Sequence, residues 1–320
     1  MLARLQQVIT LSLLAFAVAW AGWFARQGRW GWALGGALLI LFGYALVLAI
    51  EFVLLGLVHG DDPAPRAGPA QLLRAWWGEV LCAPSVFCWR QPFRSRAEPD
   101  HLPAGAAGRL GVVLVHGFVC NRGFWNPWLR RLRAAGVPVV AVNLEPVFGR
   151  IDDYAPIVAQ AVARVRQATG RAPLVVAHSM GGLAVRRWLS RCGEARAVEH
   201  VVTIGTPHHG TWLARFGHTP NGVQMRRAGD WLGVLAGEEG VLVPEARYAR
   251  FTCFYSHCDN IVFPPSTATL PGADNRHVAG CAHVHLAFQP EVFDAVWSRV
   301  SASPESPVSA SNSGAPATRA

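Results

Sequence analysis

Among the residues of this chain that could do chemistry, Ser179 has the most informative surroundings. It sits in Ala177-His178-Ser179-Met180-Gly181, directly after the apolar, β-prone run Leu174-Val175-Val176. A helical pattern carried by Leu183, Val185, Trp188 and Leu189 follows at once. A strand, a tight turn and a helix in that order hold a serine hydroxyl out above the strand end. Such a turn strains the backbone of its central residue, so its neighbours two places before and after must be small, as Ala177 and Gly181 are. A free serine hydroxyl is a poor nucleophile near neutral pH, and a positioned base must take its proton as it attacks an acyl carbonyl.

The partners of such a serine are expected further along, an acid first and then a histidine. Asp259 follows the strand-like run Phe251 to Tyr255, on a loop with Asn260 and Pro264. There it could orient a catalytic imidazole and stabilise its charged form. Of the twelve histidines, His283 in Gly280-Cys281-Ala282-His283-Val284-His285-Leu286 is the expected base. It is preferred to His285 because small residues precede it and Leu286 can anchor its loop, and His277 is a third option. An oxyanion hole needs two backbone N–H groups. Met180, directly after the serine, and Phe118, after the strand-like Leu114-Val115 and the turn residue Gly117, are the expected donors. His116 and His178 read as structural.

The elements that must position these residues form an alternating series. Leu110 to Val115, Val137 to Val142, the run before Ser179, Val198 to Ile204 and Phe251 to Tyr255 read as strands. Helical patterns over Trp125 to Ala135, Tyr154 to Ala168 and Glu291 to Val300 separate or follow them. The expected fold is α/β, a mostly parallel sheet with helices on both faces over residues 110–300. Residues 211–245 mix Gly, Trp and Arg without a sustained period and suggest an inserted lid. Residues 59–109 read as a linker and lead-in with one apolar stretch, Leu72 to Val80, and residues 301–320 as a disordered tail.

Residues 1–58 are different in character. Leu5 to Ala25 and Trp30 to Ile50 are uncharged runs of 21 residues each, long enough to span a hydrocarbon core of about 30 Å as helices. Tryptophans at 20, 23, 30 and 32 gather at the polar turn between them, and the pair reads as a two-helix membrane hairpin rather than a cleaved signal. Glu51 is expected at the far membrane interface. The chain is expected in a membrane, of bacterial inner-membrane type, with its catalytic part on the cytoplasmic side.

The composition of the 320 residues, 52% hydrophobic and 15% charged, excludes a disordered chain. The net charge of +9 comes wholly from arginine, since the chain has no lysine, and the arginines are scattered over helix faces. They suit contact with lipid headgroups and form no nucleic-acid-binding motif. The seven cysteines cannot make a complete disulfide framework, and Cys253, His257, Cys258 and Cys281 have the spacing of no zinc finger or ribbon. Neither a metal nor another cofactor is expected.

Taken together, Leu114-Val115-His116-Gly117-Phe118, Asn143-Leu144-Glu145-Pro146, the Ser179 turn, Gly205-Thr206-Pro207-His208-His209-Gly210-Thr211, Asp259-Asn260-Ile261-Val262-Phe263-Pro264 and the His283 loop resemble the α/β-hydrolase superfamily. Within it the chain is most similar to bacterial lipases and esterases of the triacylglycerol-lipase type. The resemblance implies a Ser179, Asp259, His283 triad with Phe118 and Met180 as oxyanion donors. It also implies a serine ester hydrolase acting through an acyl-enzyme on lipid-like or other apolar acyl esters. Phe118, Trp125, Trp128 and Trp212 are candidates to line an acyl pocket under the lid. Ala177 stands where the family usually has glycine, and the membrane hairpin is not part of the lipase pattern. Some such lipases bind calcium, but no acidic cluster is present here onto which that site carries. The same triad would serve acyl transfer to an alcohol or thiol, and a non-catalytic membrane-tethered interaction module is the contrasting reading.

Overall fold

The computed structural model describes residues 1–192, 194, 196–242 and 248–302. In chain order the helices are α1 (Leu2–Arg26), α2 (Trp30–Phe42), α3 (Tyr44–Val58), α4 (Pro69–Pro84), α5 (Gln91–Phe93), α6 (Asn126–Ala134), α7 (Ala155–Thr169), α8 (Met180–Cys192), α9 (Pro220–Gln224), α10 (Asp230–Leu242), α11 (His283–Leu286) and α12 (Pro290–Ser301). The strands are β1 (Val112–Val115), β2 (Val139–Ala141), β3 (Leu174–His178), β4 (His200–Ile204), β5 (Phe251–Tyr255) and β6 (Asp274–His277). The expected tail lies outside the described residues from 303 onward.

The six strands form one parallel sheet in the order β2-β1-β3-β4-β5-β6. β3 is central, its register pairing Leu114 with Val176 on one side and Val202 with Val176 on the other. Side chains alternate across a strand, so a strand buried on both faces must be apolar at every position. Val113, Val115, Val175 and Val201 accordingly enter one core with α7 and α8. Val112, Leu114, Val176 and Val202 enter another with α6 and α12. Parallel strands place their C-terminal ends on one edge, which brings the loops after β1, β3 and β5 together.

The N-terminal third departs from two straight spans. α1 is long and apolar enough to cross a membrane, by length and composition. The second run does not form one helix: α2 and α3 meet at Gly43 with a bend of 53°. A Cβ there would lie 2.6 Å from the Leu39 carbonyl oxygen, so the bend needs glycine. α2 folds back on α1 through the Trp20 indole, which donates to the Trp32 carbonyl at 2.9 Å. The base of α1 docks on α5, where the Gln7 amide donates to the Pro92 carbonyl at 2.6 Å. α3 is held to the body of the protein instead of projecting from it. Tyr44 donates to the Val80 carbonyl at 2.8 Å and the Trp76 indole to the Ala45 carbonyl at 2.9 Å. The stretch expected as a linker therefore contains a structural helix, α4, whose apolar face packs under α3.

The segment expected as a lid packs beside α8. Arg186 is fully buried and its guanidinium donates to Glu239 on α10 at 2.8 and 2.9 Å, while Arg187 pairs with Glu238. Two charge pairs on the flank of α8 draw this segment to the side of the sheet.

Candidate active site

β3 runs straight into the sharp turn at Ser179. Its φ is +54°, a left-handed value that costs a non-glycine residue energy and that the surrounding packing must enforce. The Ser179 amide donates to the Ile204 carbonyl at 2.9 Å, tying the turn to β4. The need for small neighbours is steric and specific. A Cβ on Gly181 would lie 2.5 Å from the His116 carbonyl oxygen, and one on Gly117 would lie 2.7 Å from Ser179 Cβ. α8 starts at Met180, so its N-terminal amides and the positive end of its dipole face the serine.

His283 and Asp259 form a buried pair. His283 Nδ1 donates to the Asp259 carboxylate, 2.9 Å from Oδ2 and 3.0 Å from Oδ1. The carboxylate also accepts from the Ile261 and Val262 amides at 2.9 and 2.8 Å, which fixes its plane. Burial alone would lower the His283 pKa, but the charge and hydrogen bonding of Asp259 raise it above the ordinary histidine value, with Glu79 and Glu51 adding to the rise. Ser179 and His283 line the same cavity. Among the described residues no hydrogen bond joins them.

Two side chains outside the triad, Asn260 and Glu79, hold the His283 loop in place, and Glu51 in turn holds Asn260. Asn260 Oδ1 accepts from the His283 amide at 3.1 Å, and its Nδ2 donates to Glu51 at 2.6 Å. Glu79, from α4, accepts the Val284 and His285 amides at 3.0 Å each. The first amides of a helix have no partner within it. Here Asn260 and Glu79 satisfy the first three of α11 from outside. Burial pushes the Glu79 carboxyl up to about 7, against the opposing effect of those amides. Glu51, expected at a membrane interface, instead lines the cavity beside Asn260.

His178 and His116 act as supports. His178 Nε2 donates to the His283 carbonyl at 3.2 Å, and its ring lies between those of Phe124 and His283, with centroids 4.6 Å away on each side. Burial first, and then the neighbouring His283, lower its pKa well below the usual value, so the ring is neutral. His116 accepts from the Leu144 amide at 3.0 Å and donates to the Gly117 carbonyl at 2.9 Å. Burial lowers its pKa to about 4. It thereby ties the loop that carries Phe118 to the segment after β2. Among the described residues, neither the Phe118 nor the Met180 amide donates to a backbone acceptor. Val119, next to Phe118, has φ +52°, a strained value for a β-branched residue.

The cavity at Ser179 has a volume of about 720 Å³, within the usual range of small-molecule sites. Of the aromatics expected in an acyl pocket, Phe118 lines it. Trp125 and Trp128 are core residues packed edge to face, and Trp212 stacks on Phe263, all three outside the cavity wall. No described residue of 211–242 lines the cavity either, because that segment is held against α8. The wall opposite the sheet comes from α1, α2, α3 and α4. Of the cysteine and histidine set considered for zinc, Cys253 faces His208, and His257 pairs with His277 at 2.6 Å.

A parallel sheet whose C-terminal edge carries a strained serine turn and a buried histidine–aspartate pair defines an α/β-hydrolase fold. Residues 112–310 match the sequence profile of the alpha/beta hydrolase family, and the chain belongs to that family. Its fold is similar to that of the Bacillus licheniformis lipase BlEst2 in mature form (TM-score 0.51, 18% identity, 63% of this chain and 94% of that one). It is also similar to that of Aspergillus fumigatus lipase B (TM-score 0.52, 21% identity, 65% of this chain and 57% of that one). No curated protein matches the sequence.

Proposed function

We propose that this chain is a membrane-anchored serine hydrolase of carboxylic esters with apolar acyl groups. The observation that carries the proposal is the shared cavity: Ser179 and the Asp259-paired His283 line one space whose remaining wall is mostly aliphatic and aromatic. Ser179 Oγ attacks the ester carbonyl while His283 Nε2 takes its proton, the two closing to hydrogen-bond distance around bound substrate. Asp259 fixes the tautomer with Nδ1 protonated and stabilises the imidazolium. The amides of Phe118 and Met180 receive the negative oxygen of the tetrahedral intermediate. The imidazolium returns its proton to the leaving alcohol, which leaves an acyl-Ser179 ester. Water then attacks that ester by the same route and releases the acid.

In this reading residues 1–58 anchor the enzyme and residues 110–300 carry the chemistry. The anchor reading is supported by α1, 25 residues or about 37 Å long, whose exposed residues are mostly apolar. Hydrolysis of a p-nitrophenyl ester series by the detergent-solubilised full chain tests the reaction. Cleavage by wild type and a loss on the order of 10⁴-fold in kcat for Asp259→Asn are expected. Equal rates for the two proteins would reject the triad. Retention of the protein in membranes through a carbonate wash tests the anchor, and release into the supernatant would reject it.

A further inference from the structure

The cavity wall is unusual in its origin. Leu13 comes from α1, Leu41 and Phe42 from the end of α2, and Val47 and Leu48 from α3. These are the same apolar helices that the anchor reading places in hydrocarbon. Four of the five, Leu13, Leu41, Phe42 and Val47, are exposed, and Cys88, beyond the end of α4, is the other exposed residue of the lining. Ser179 and His283 are buried while the exposed lining residues lie mostly on these helices, so the mouth lies mainly on the apolar hairpin. Its polar lining includes Ser179, His283 and Asn260 from the sheet edge and Glu51 from α3. The cavity thus runs from a mainly apolar opening at the helices to the catalytic residues at the sheet edge.

The geometry of the mouth is built in. The bend at Gly43 swings α3 away from the line of α2, and the hydrogen bonds of Tyr44 to Val80 and of Trp76 to Ala45 pin the residues just past the bend to α4. Farther along α3, the Glu51–Asn260 hydrogen bond connects the same helix to the loop of the catalytic pair. One helix therefore borders both the opening and the reacting end.

We infer that the substrate is an acyl ester resident in the bilayer, whose chain reaches Ser179 sideways from the hydrocarbon between α1 and the α2–α3 bend. The hairpin is then an acyl-binding element as well as an anchor. The inference rests on the hydrolase reading and adds the route and the substrate class to it. A chain moving from hydrocarbon into this cavity crosses no water, whereas a water-soluble ester gains about fourfold in kcat/KM for each methylene it buries. Charged or bulky polar acyl groups are excluded at the mouth, where they would lose their hydration to leucine, phenylalanine and valine.

The test uses the full chain in phosphatidylcholine vesicles, with Leu41→Trp and Val47→Trp narrowing the mouth and Val18→Trp, on the outer face of α1 away from the cavity, as control. The readouts are the ratio of kcat/KM for p-nitrophenyl palmitate to that for p-nitrophenyl acetate, and the release of fatty acid from a long-chain glyceride in the vesicle. The mouth variants are expected to lower the ratio at least tenfold and to cut release from the vesicle by as much, with the control unchanged. Wild type that cleaves acetate while both mouth variants keep the wild-type ratio overturns the lateral route and leaves the hydrolase reading standing. An equal loss on both esters also overturns it. Wild type that cleaves neither ester removes the hydrolase reading and the route together. Independently of any variant, a phosphatidylcholine with a photoreactive acyl chain should crosslink to peptides containing Leu41 or Val47. Crosslinks confined to the residue 26–29 turn would contradict the route.

Discussion

Replacing Glu79 by glutamine probes how the histidine loop is held. In the folded chain the Glu79 carboxyl titrates at about 7, because burial penalises its charge more than the Val284 and His285 amides favour it. Its ordinary value is 4.5. A carboxyl whose pKa is raised by folding binds its proton more tightly in the native state. The stability this contributes is present in full below pH 4.5 and is lost as the pH rises through about 7. Between pH 5 and pH 8 the loss amounts to about 2–3 kcal/mol. For a chain of this size that corresponds to about 3–5 °C in Tm. Buried histidines such as His178 and His208 impose the opposite pH dependence, so the quantity to measure is the difference between two proteins. Thermal unfolding of detergent-solubilised wild type and Glu79→Gln at pH 5 and pH 8 gives it. Relative to the variant, wild type should lose those degrees on going from pH 5 to pH 8. Parallel changes in the two proteins would refute the assignment of Glu79 as a buried carboxyl capping α11. Glu79→Ala should be the more damaging variant at pH 5, since it leaves two buried amides unpaired, at about 1–3 kcal/mol each.

Further outcomes follow from the same geometry. Gly117→Ala puts a methyl group 2.7 Å from Ser179 Cβ and 3.1 Å from the His178 carbonyl oxygen, so the serine or the Phe118 loop must move. A loss in kcat of about 10²-fold is expected, with a Tm within a few degrees of wild type, and undiminished turnover would show that the turn tolerates the methyl group. The raised pKa of His283 places the acid limb of the kcat/KM profile above pH 6.5, since the base must be neutral to accept a proton. Glu79→Gln removes a negative charge that favours the imidazolium and should move that limb to lower pH. A limb that stays put or rises would argue against the coupling.

Much of the candidate site is legible in the sequence because its signals are local. Ser179 is marked by the small residues on either side of it, and the parallel sheet by apolar runs that could only be buried on both faces. Asp259 and His283 are identified by chain order and by the loops they occupy, and the structure brings them to 2.9 Å. Glu79 and Asn260 are not legible, because capping a helix from another element depends on tertiary placement. The only trace of Glu79 is a carboxylate in an otherwise apolar stretch, a residue that burial makes costly unless it is partnered. Trp125 and Trp128 look like pocket residues in sequence and prove to be core, since an aromatic pattern does not distinguish the two. The second apolar run reads as one span because hydropathy is blind to the bend at Gly43. For the same reason it conceals that α3 turns back over the serine.

The most direct measurement of the central claim is intact mass after reaction of the purified full chain with a fluorophosphonate. The account predicts one adduct, localised to Ser179, absent from Ser179→Ala and formed far more slowly by His283→Ala. Folded wild type that takes up no label, or Ser179→Ala that is labelled as fast as wild type, would contradict it.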